Sequence, residues 1–195
     1  MKRKTLIDLP CPVARSLEHV GEWWNILILR QAVLGTTRFD DFQKTLGIAP
    51  NMLTRRLNGL VESGLLERRL YNERPPRHDY VLTARGRDFR PVLWTLLAWG
   101  NRHFAPEGAS ITIVDTETGR EAVPVVVDAE SGLAIDAPRF AVVPGPAATE
   151  DLRRALMPRG TAESGEDSGA GAPERQAKPP EGQAKPPRRR RSNAG

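Results

Sequence analysis

The chain has 195 residues but a single cysteine, Cys11, only three histidines, His19, His78 and His103, and two tyrosines. One cysteine cannot build an internal disulfide framework, and histidines so dispersed make no metal-ligand spacing, so no structural metal is expected. Long apolar runs are absent as well. The run from Trp23 to Leu29 contains Asn25 and stops at Arg30, far short of the roughly 20 apolar residues a membrane span needs. The first residues, Met1-Lys2-Arg3-Lys4, are basic, but Leu6-Ile7-Asp8-Leu9 is no signal-peptide core. A cytoplasmic chain without a membrane partner is expected. There is no nucleophile elbow and no phosphate-cradling glycine loop, and the carboxylates are scattered on helix exteriors and in the tail. Neither an enzyme nor a cofactor is expected.

What the chain does have is positive charge, unevenly placed. Residues 1–106 carry 17 Lys and Arg against 10 Asp and Glu, a surplus of +7. Residues 107–143 carry 2 against 7, and residues 144–195 carry 10 against 7, giving −5 and +3. The basic first half, in a chain of pI about 9.9, fits a polyanionic partner, although charge alone fits a membrane surface equally well.

The most informative stretch runs from Pro50 to Leu82. PNMLTRRLNGLVESG has helical periodicity, with Leu53, Leu57, Leu60 and Val61 on one side and Asn51, Thr54, Arg55 and Asn58 on the other. Amide, hydroxyl and guanidinium groups are those that pair with base edges. An ordinary solvated face is the alternative, since amphipathic helices usually have one. Two strand-like runs follow, Glu67 to Tyr71 and His78 to Leu82. The connecting Asn72-Glu73-Arg74-Pro75-Pro76-Arg77 looks too polar and too proline-rich to continue either one. A helix followed by an arginine-bearing hairpin predicts a winged helix-turn-helix, in which the wing clamps phosphates.

Six motifs in order carry a resemblance: Cys11-Pro12-Val13, Gly21-Glu22-Trp23-Trp24 with Ile26 to Arg30, Gly35-Thr36-Thr37-Arg38-Phe39, Pro50 to Leu57, Glu73 to Arg77, and Tyr80-Val81-Leu82-Thr83. Over residues 11–103 the sequence resembles the HxlR-type winged-helix transcriptional regulators of bacteria, within the MarR-like superfamily. The resemblance implies a homodimer that binds double-stranded DNA at an inverted-repeat operator. Expected DNA contacts are Asn51, Thr54, Arg55, Arg56 and Asn58 on the helix, with Arg38, Arg68, Arg69, Arg74 and Arg77 around the wing.

The remaining helices read as Pro12 to Val20, Glu22 to Leu34, which is apolar nearly all round and so the expected centre of the domain, and Asp40 to Leu46. Arg38-Phe39 can add a short strand. Thr83 should cap one long helix from Ala84 to about Phe104, bent slightly by Pro91. Its apolar stripe exceeds what a small domain can cover. In the family it resembles, the first and last helices pack against their counterparts. The expected dimer interface is accordingly Val13, Leu17, Leu93, Leu96, Leu97, Trp99, Gly100 and Phe104.

Beyond Pro106, Asp115-Thr116-Glu117-Thr118-Gly119 and Asp128-Ala129-Glu130-Ser131-Gly132 repeat with a period of 13 residues among β-branched runs, predicting a small acidic β-hairpin module. Thr149 to Leu156 reads as a short capped helix. The residues beyond Pro158 have too little apolar surface to offset their ordering entropy, so a disordered basic tail is expected, either merely solvated or a phosphate-seeking arm. The expected organisation is an N-terminal arm (1–10), a winged-helix domain (11–106), a β-hairpin extension (107–143), a linker with a short helix (144–157) and a tail (158–195). The whole is mainly α with a small β-wing.

Cys11, at a helix start near Arg15, has the setting of a stabilised thiolate, and some regulators of the family use a cysteine at this position to sense oxidants. Free cysteines also commonly serve as small packed hydrophobes. The competing function is a redox-indifferent protein-docking module, which would show apolar anchors on the outer face of the helix at Pro50.

Overall fold

A computed structural model describes residues 5–136 and 139–156. The elements are α1 (Pro12–Val20), α2 (Trp23–Val33), α3 (Phe39–Leu46), α4 (Pro50–Glu62), β1 (Leu66–Glu73), β2 (Pro76–Leu82), α5 (Ala84–Asp88), α6 (Arg90–Phe104) and α7 (Glu150–Leu156). Local chemistry sets most boundaries. Pro12 and Pro50 occupy the first turns of α1 and α4, where a missing N–H costs nothing. Gly47 ends α3 at φ 63°, and Gly64 turns the chain out of α4 at φ 69°, left-handed positions that a side chain would strain.

Helix α2 is the hub, packed against α1, α3, α4, α6 and β2. Its Ile28 and Leu29 are fully buried with Phe42 of α3, Leu53, Leu57 and Leu60 of α4, and Leu66 of β1. Its N-terminal turn departs from the all-round burial expected: Trp23 is 60% exposed and stacks on Trp24, ring centroids 4.0 Å apart. The polar Asn25 and Gln31 are buried instead. Asn25 earns its place by donating from Nδ2 to the carbonyl of His19 at 2.7 Å, joining α2 to the end of α1.

Strands β1 and β2 form an antiparallel hairpin in register Leu66↔Leu82 to Glu73↔Pro76, with a bulge between Leu70 and Asn72. Both strands outrun their expected ends, leaving only Arg74-Pro75 as the turn. The prolines do not stop them, because Pro75 lies in the turn and Pro76 is the first residue of its strand. Asn72 closes the tip, Nδ2 to the Pro75 carbonyl at 3.0 Å. Arg38 contributes one antiparallel bridge, to Asp79, before Phe39 opens α3.

The single long terminal helix is two helices. Thr83 caps α5, its Oγ1 accepting from the Gly86 N–H at 3.1 Å, but α5 stops after Asp88 and Pro91 lies in the first turn of a separate α6. A proline there starts a helix without losing any bond, whereas inside one it breaks the i to i−4 ladder. Leu93, expected at a subunit interface, is 5% exposed and belongs to the protomer's own core.

Past α6 the module contains no strand longer than a single bridge among the described residues. It consists of two turns of the same construction. In the first, Val114 bridges Glu121, and Asp115 N donates to Arg120 O at 2.8 Å; in the second, Val127 bridges Ala134, and Asp128 N donates to Leu133 O at 2.9 Å. Each carries a left-handed glycine, Gly119 and Gly132, both at φ 68°. Asn101 of α6 holds the start of this segment, Nδ2 to the Ile111 carbonyl at 2.9 Å. Thr149 caps α7 through Leu152 N at 3.3 Å. The expected tail and the N-terminal arm's three basic residues, Lys2, Arg3 and Lys4, lie outside the described residues; no described helix is long and apolar enough to cross a membrane.

Candidate nucleic-acid interface

Helix α3, the Gly47-Ile48-Ala49 turn and α4 set the geometry of the site. Ile48 is buried beneath the turn, and the inward leucines of α4 seat that helix across the core. Asn51, Thr54, Arg55 and Asn58 are therefore held outward and exposed. All four line one open groove of about 760 Å³ with Glu18, His19 and Glu22 at the ends of α1 and α2. Part of their polarity is already engaged locally: Thr54 Oγ1 donates to the Pro50 carbonyl at 2.9 Å, and Asn51 Oδ1 accepts from Met52 N at 2.7 Å. The Arg55 guanidinium extends along this face, with Nη2 3.0 Å from the Met52 sulfur.

Arg56 has a different environment. It is half-buried and donates from Nη2 to Glu22 Oε2 at 2.8 Å, tying α4 to the start of α2. Its guanidinium is already satisfied in part by a carboxylate, so its role in this geometry is to seat the helix. That role was not foreseen from the sequence.

The wing arginines are exposed but not equivalent. Arg69 pairs with Glu67 on the same strand. Arg74 is in the turn, and Arg77 follows it on β2. Arg38 lies at the base of the hairpin, where its guanidinium carbon is 5.0 Å from the centre of the Tyr71 ring. Arg38, Tyr71 and Arg77 line a common polar pocket with His78 and Tyr80. Arg68 is exposed on β1 opposite Tyr80.

Three further positions carry the arrangement, of which only Thr83 was singled out, and then as a helix cap alone. Gly86 lets α5 pass against the end of α4, since a Cβ there would stand 2.1 Å from the Leu65 carbonyl oxygen. Thr83 Oγ1 joins the same junction by donating to the Gly64 carbonyl at 2.6 Å. Asp79 binds Thr37 across the wing base, Oδ1 accepting from Oγ1 at 2.8 Å. The glycine three residues after a capping threonine was a usable signal for the first junction; the Thr37 to Asp79 contact spans 42 residues and left none.

Cys11 is exposed at the N-cap of α1. Neighbouring Arg15 directs its Nε to the carbonyls of Ile7 and Leu9, at 3.1 and 2.8 Å, and so pins the arm that leads into α1. Among the described residues no group of three or more His, Cys, Asp or Glu side chains could hold a metal ion.

A helix-turn-helix with an outward polar face on its second helix, followed at once by a basic hairpin, defines a winged helix-turn-helix transcription factor. Comparison with known proteins refines the class. The model of the HxlR-like helix-turn-helix family matches residues 19–108. The uncharacterized HTH-type transcriptional regulator Rv3095 of Mycobacterium tuberculosis is 40% identical over 135 residues, which is 69% of this chain and 85% of that protein. The structure of PA1374 from Pseudomonas aeruginosa, described as a candidate transcription factor, is 53% identical with a TM-score of 0.55, covering 75% of this chain and all of the other. PA1607, described in the same way, is 36% identical with a TM-score of 0.64, covering 71% and 98%. The chain belongs to the HxlR-like family of helix-turn-helix transcriptional regulators.

Proposed function

We propose that the protein binds an inverted-repeat operator as a homodimer, with α4 in the major groove and the basic wing on the flanking phosphates. The observation that carries this reading is the division of α4. Its leucines are wholly buried, while its exposed side presents two amides, a hydroxyl and an exposed guanidinium with no apolar anchor of the kind a docking surface needs. Arg55 is the reader, able to make a bidentate contact to a guanine edge, and Asn51 and Asn58 suit adenine. Arg38, Arg68, Arg74 and Arg77 supply sequence-independent grip.

Support for the homodimer comes from apolar surface with nothing over it in one protomer. Val13 and Leu17 of α1 and Leu96, Trp99 and Phe104 of α6 are all exposed, and Leu97 and Gly100 lie half-buried between them. Next to Val13 and Leu17 runs an apolar groove bordered by Val20, Ile26, Phe89 and Val92. Two-fold pairing through these helices would present two copies of α4 to successive major grooves.

Selection of bound duplexes from a random pool, followed by titration at several salt concentrations, tests the reading. Arg55→Ala should weaken the selected operator by about 1–3 kcal/mol and relax preference at one base position, whereas Arg77→Ala should weaken all duplexes evenly and lower the salt slope by about one. Equal loss by Arg55→Ala on selected and random duplexes would overturn the assignment of the reader. Light scattering tests the assembly: a wild-type monomer that still binds a palindrome tightly would overturn the homodimer.

A further inference from the structure

We infer that Thr37, Arg38, Tyr71 and Asp79 form a brace that fixes the wing's angle to the helix-turn-helix, making Thr37, Tyr71 and Asp79 positioning residues for the phosphate-binding arginines. This rests on the DNA-binding role proposed above, and extends it to residues that need not touch DNA.

A two-stranded hairpin is marginally stable by itself and has no inherent orientation beyond its attachment points. Here β1 and β2 are packed on the rest of the domain at one end, through Leu65, Leu66, Tyr80 and Leu82, and their far halves extend into solvent. Between the base and the tip, β2 is hydrogen-bonded to the segment before α3. Tyr80 N donates to the Thr37 carbonyl at 2.8 Å, Thr37 Oγ1 donates to Asp79 Oδ1 at 2.8 Å, and Arg38 forms an antiparallel bridge with Asp79. These make residues 37–38 a one-rung third strand on the outer edge of β2. Asp79 faces Arg69 across the hairpin, but Arg69 is paired with Glu67, which leaves Asp79 to Thr37.

The second contact reaches further along. Tyr71 is the extra residue of the β1 bulge, without a partner in the β ladder. Bulges re-aim a side chain and bend the strand that carries them. The freed ring lies under the Arg38 guanidinium, at a separation where a cation is attracted to an aromatic face. Arg38 thus spans β2 to hold β1, and the same pocket is lined by Arg77. Since α3 follows Arg38 directly and supports α4, the brace links wing and reading helix through a short, ordered path. Phosphate contacts made by a pre-set wing cost less ordering entropy than those made by a free one.

The decisive variant is Thr37→Val, isosteric but without the hydroxyl, with Thr37→Ser as the rescue. DNA affinity should fall about three- to tenfold on every duplex alike, as expected for one lost hydrogen bond, with base preference unchanged and the salt slope reduced. Arg77→Ala should then cost less in the Thr37→Val background than in the wild type, and Thr37→Ser should restore wild-type binding. Hydrogen exchange on the DNA-free proteins reads the brace independently. The amides of Arg77 to Tyr80 should exchange about three- to tenfold faster in Thr37→Val, while those of α4 stay unchanged. Unaltered exchange, additive losses with Arg77→Ala, or a changed base preference would each overturn the brace. If the wild type binds no DNA, the functional reading fails instead, and the exchange measurement still judges the brace.

Discussion

Residues 20–93 and residues 111–135 are held together by different kinds of contact. In the first segment the stabilising partners are far apart in sequence: Ile28 and Leu29 of α2 meet Phe42, Leu53, Leu57 and Leu60, and Thr37 meets Asp79. In the second, bonds close over a few residues and then repeat. Gly119 N to Asp115 O and Ala122 N to Ile113 O recur thirteen residues on as Gly132 N to Asp128 O and Ile135 N to Val126 O. Apolar side chains are plentiful in both, yet Val123, Val125, Val126 and Val127 remain exposed. One segment is ordered by burial, the other by turn chemistry: aspartate accepting from the next amides and glycine supplying the left-handed corner. The polar outer face of α4 depends on the first kind of support, because it is only as well placed as the inner face is packed.

The comparison is tested most severely by truncating equivalent aliphatic groups. Leu57→Ala removes a wholly buried side chain and should lower unfolding free energy by about 2–5 kcal/mol, whereas Val125→Ala, at 66% exposed, should change it by no more than about 0.5 kcal/mol. Denaturant titration of both variants measures the difference. A large loss from Val125→Ala would mean that the extension's valines are covered in solution and that the contrast is false.

A smaller effect distinguishes glycines that serve packing from those that serve turns. At Gly86 a methyl group would meet the Leu65 carbonyl oxygen and Leu82 Cδ2 at 2.1 and 2.9 Å, so backbone must move; Gly86→Ala should cost about 1–3 kcal/mol and lower the cooperative melting temperature. At Gly132 there is open space but a φ of +68°. Gly132→Ala should cost about 1–2 kcal/mol of local conformational energy, seen as faster exchange of the Gly132 amide while the cooperative melt is unchanged. Equal shifts in melting temperature would show the two segments to be one cooperative unit.

How much of this was legible in the sequence follows the same division. Helices α1 to α4 and the two repeated turns could be placed because their signals are local: a proline at the start of α1 and of α4, a glycine just past the end of each helix, aspartate and glycine four apart in the turns. The hairpin was drawn too short because a Pro-Pro pair reads as a break unless one knows that it straddles a turn. Pro91 misled in the opposite sense, since a proline in the first turn of a second helix and a proline inside one long helix differ only by the three-dimensional break at Phe89. Arg56 shows the limit of periodicity. It lies about 140° round α4 from Asn51, at the boundary between the two faces. Only the presence of Glu22, 34 residues away, turns it inward. Contacts such as this and Thr37 to Asp79 are set by tertiary packing, which no window of sequence contains.

Acid titration gives the smallest and most local expected effect. The carboxyl of Asp115 is held below its ordinary 3.8 chiefly by the Glu117 amide, then by the Thr118 hydroxyl and amide; that of Asp128 is lowered first by the Ser131 hydroxyl and then by the Ser131 amide. A carboxyl with a depressed folded-state value stabilises its turn fully above the unfolded value, and that contribution is lost as pH falls through the folded one. The two turns should therefore loosen only below about pH 3.8, together, as carboxylates that accept these bonds become protonated. Amide chemical shifts of Glu117 and Ser131 followed by NMR would move over that window and would not move in Asp115→Asn and Asp128→Asn respectively. Shifts already complete at higher pH would show that the carboxylates do not hold the turns, and that glycine geometry alone shapes the repeat.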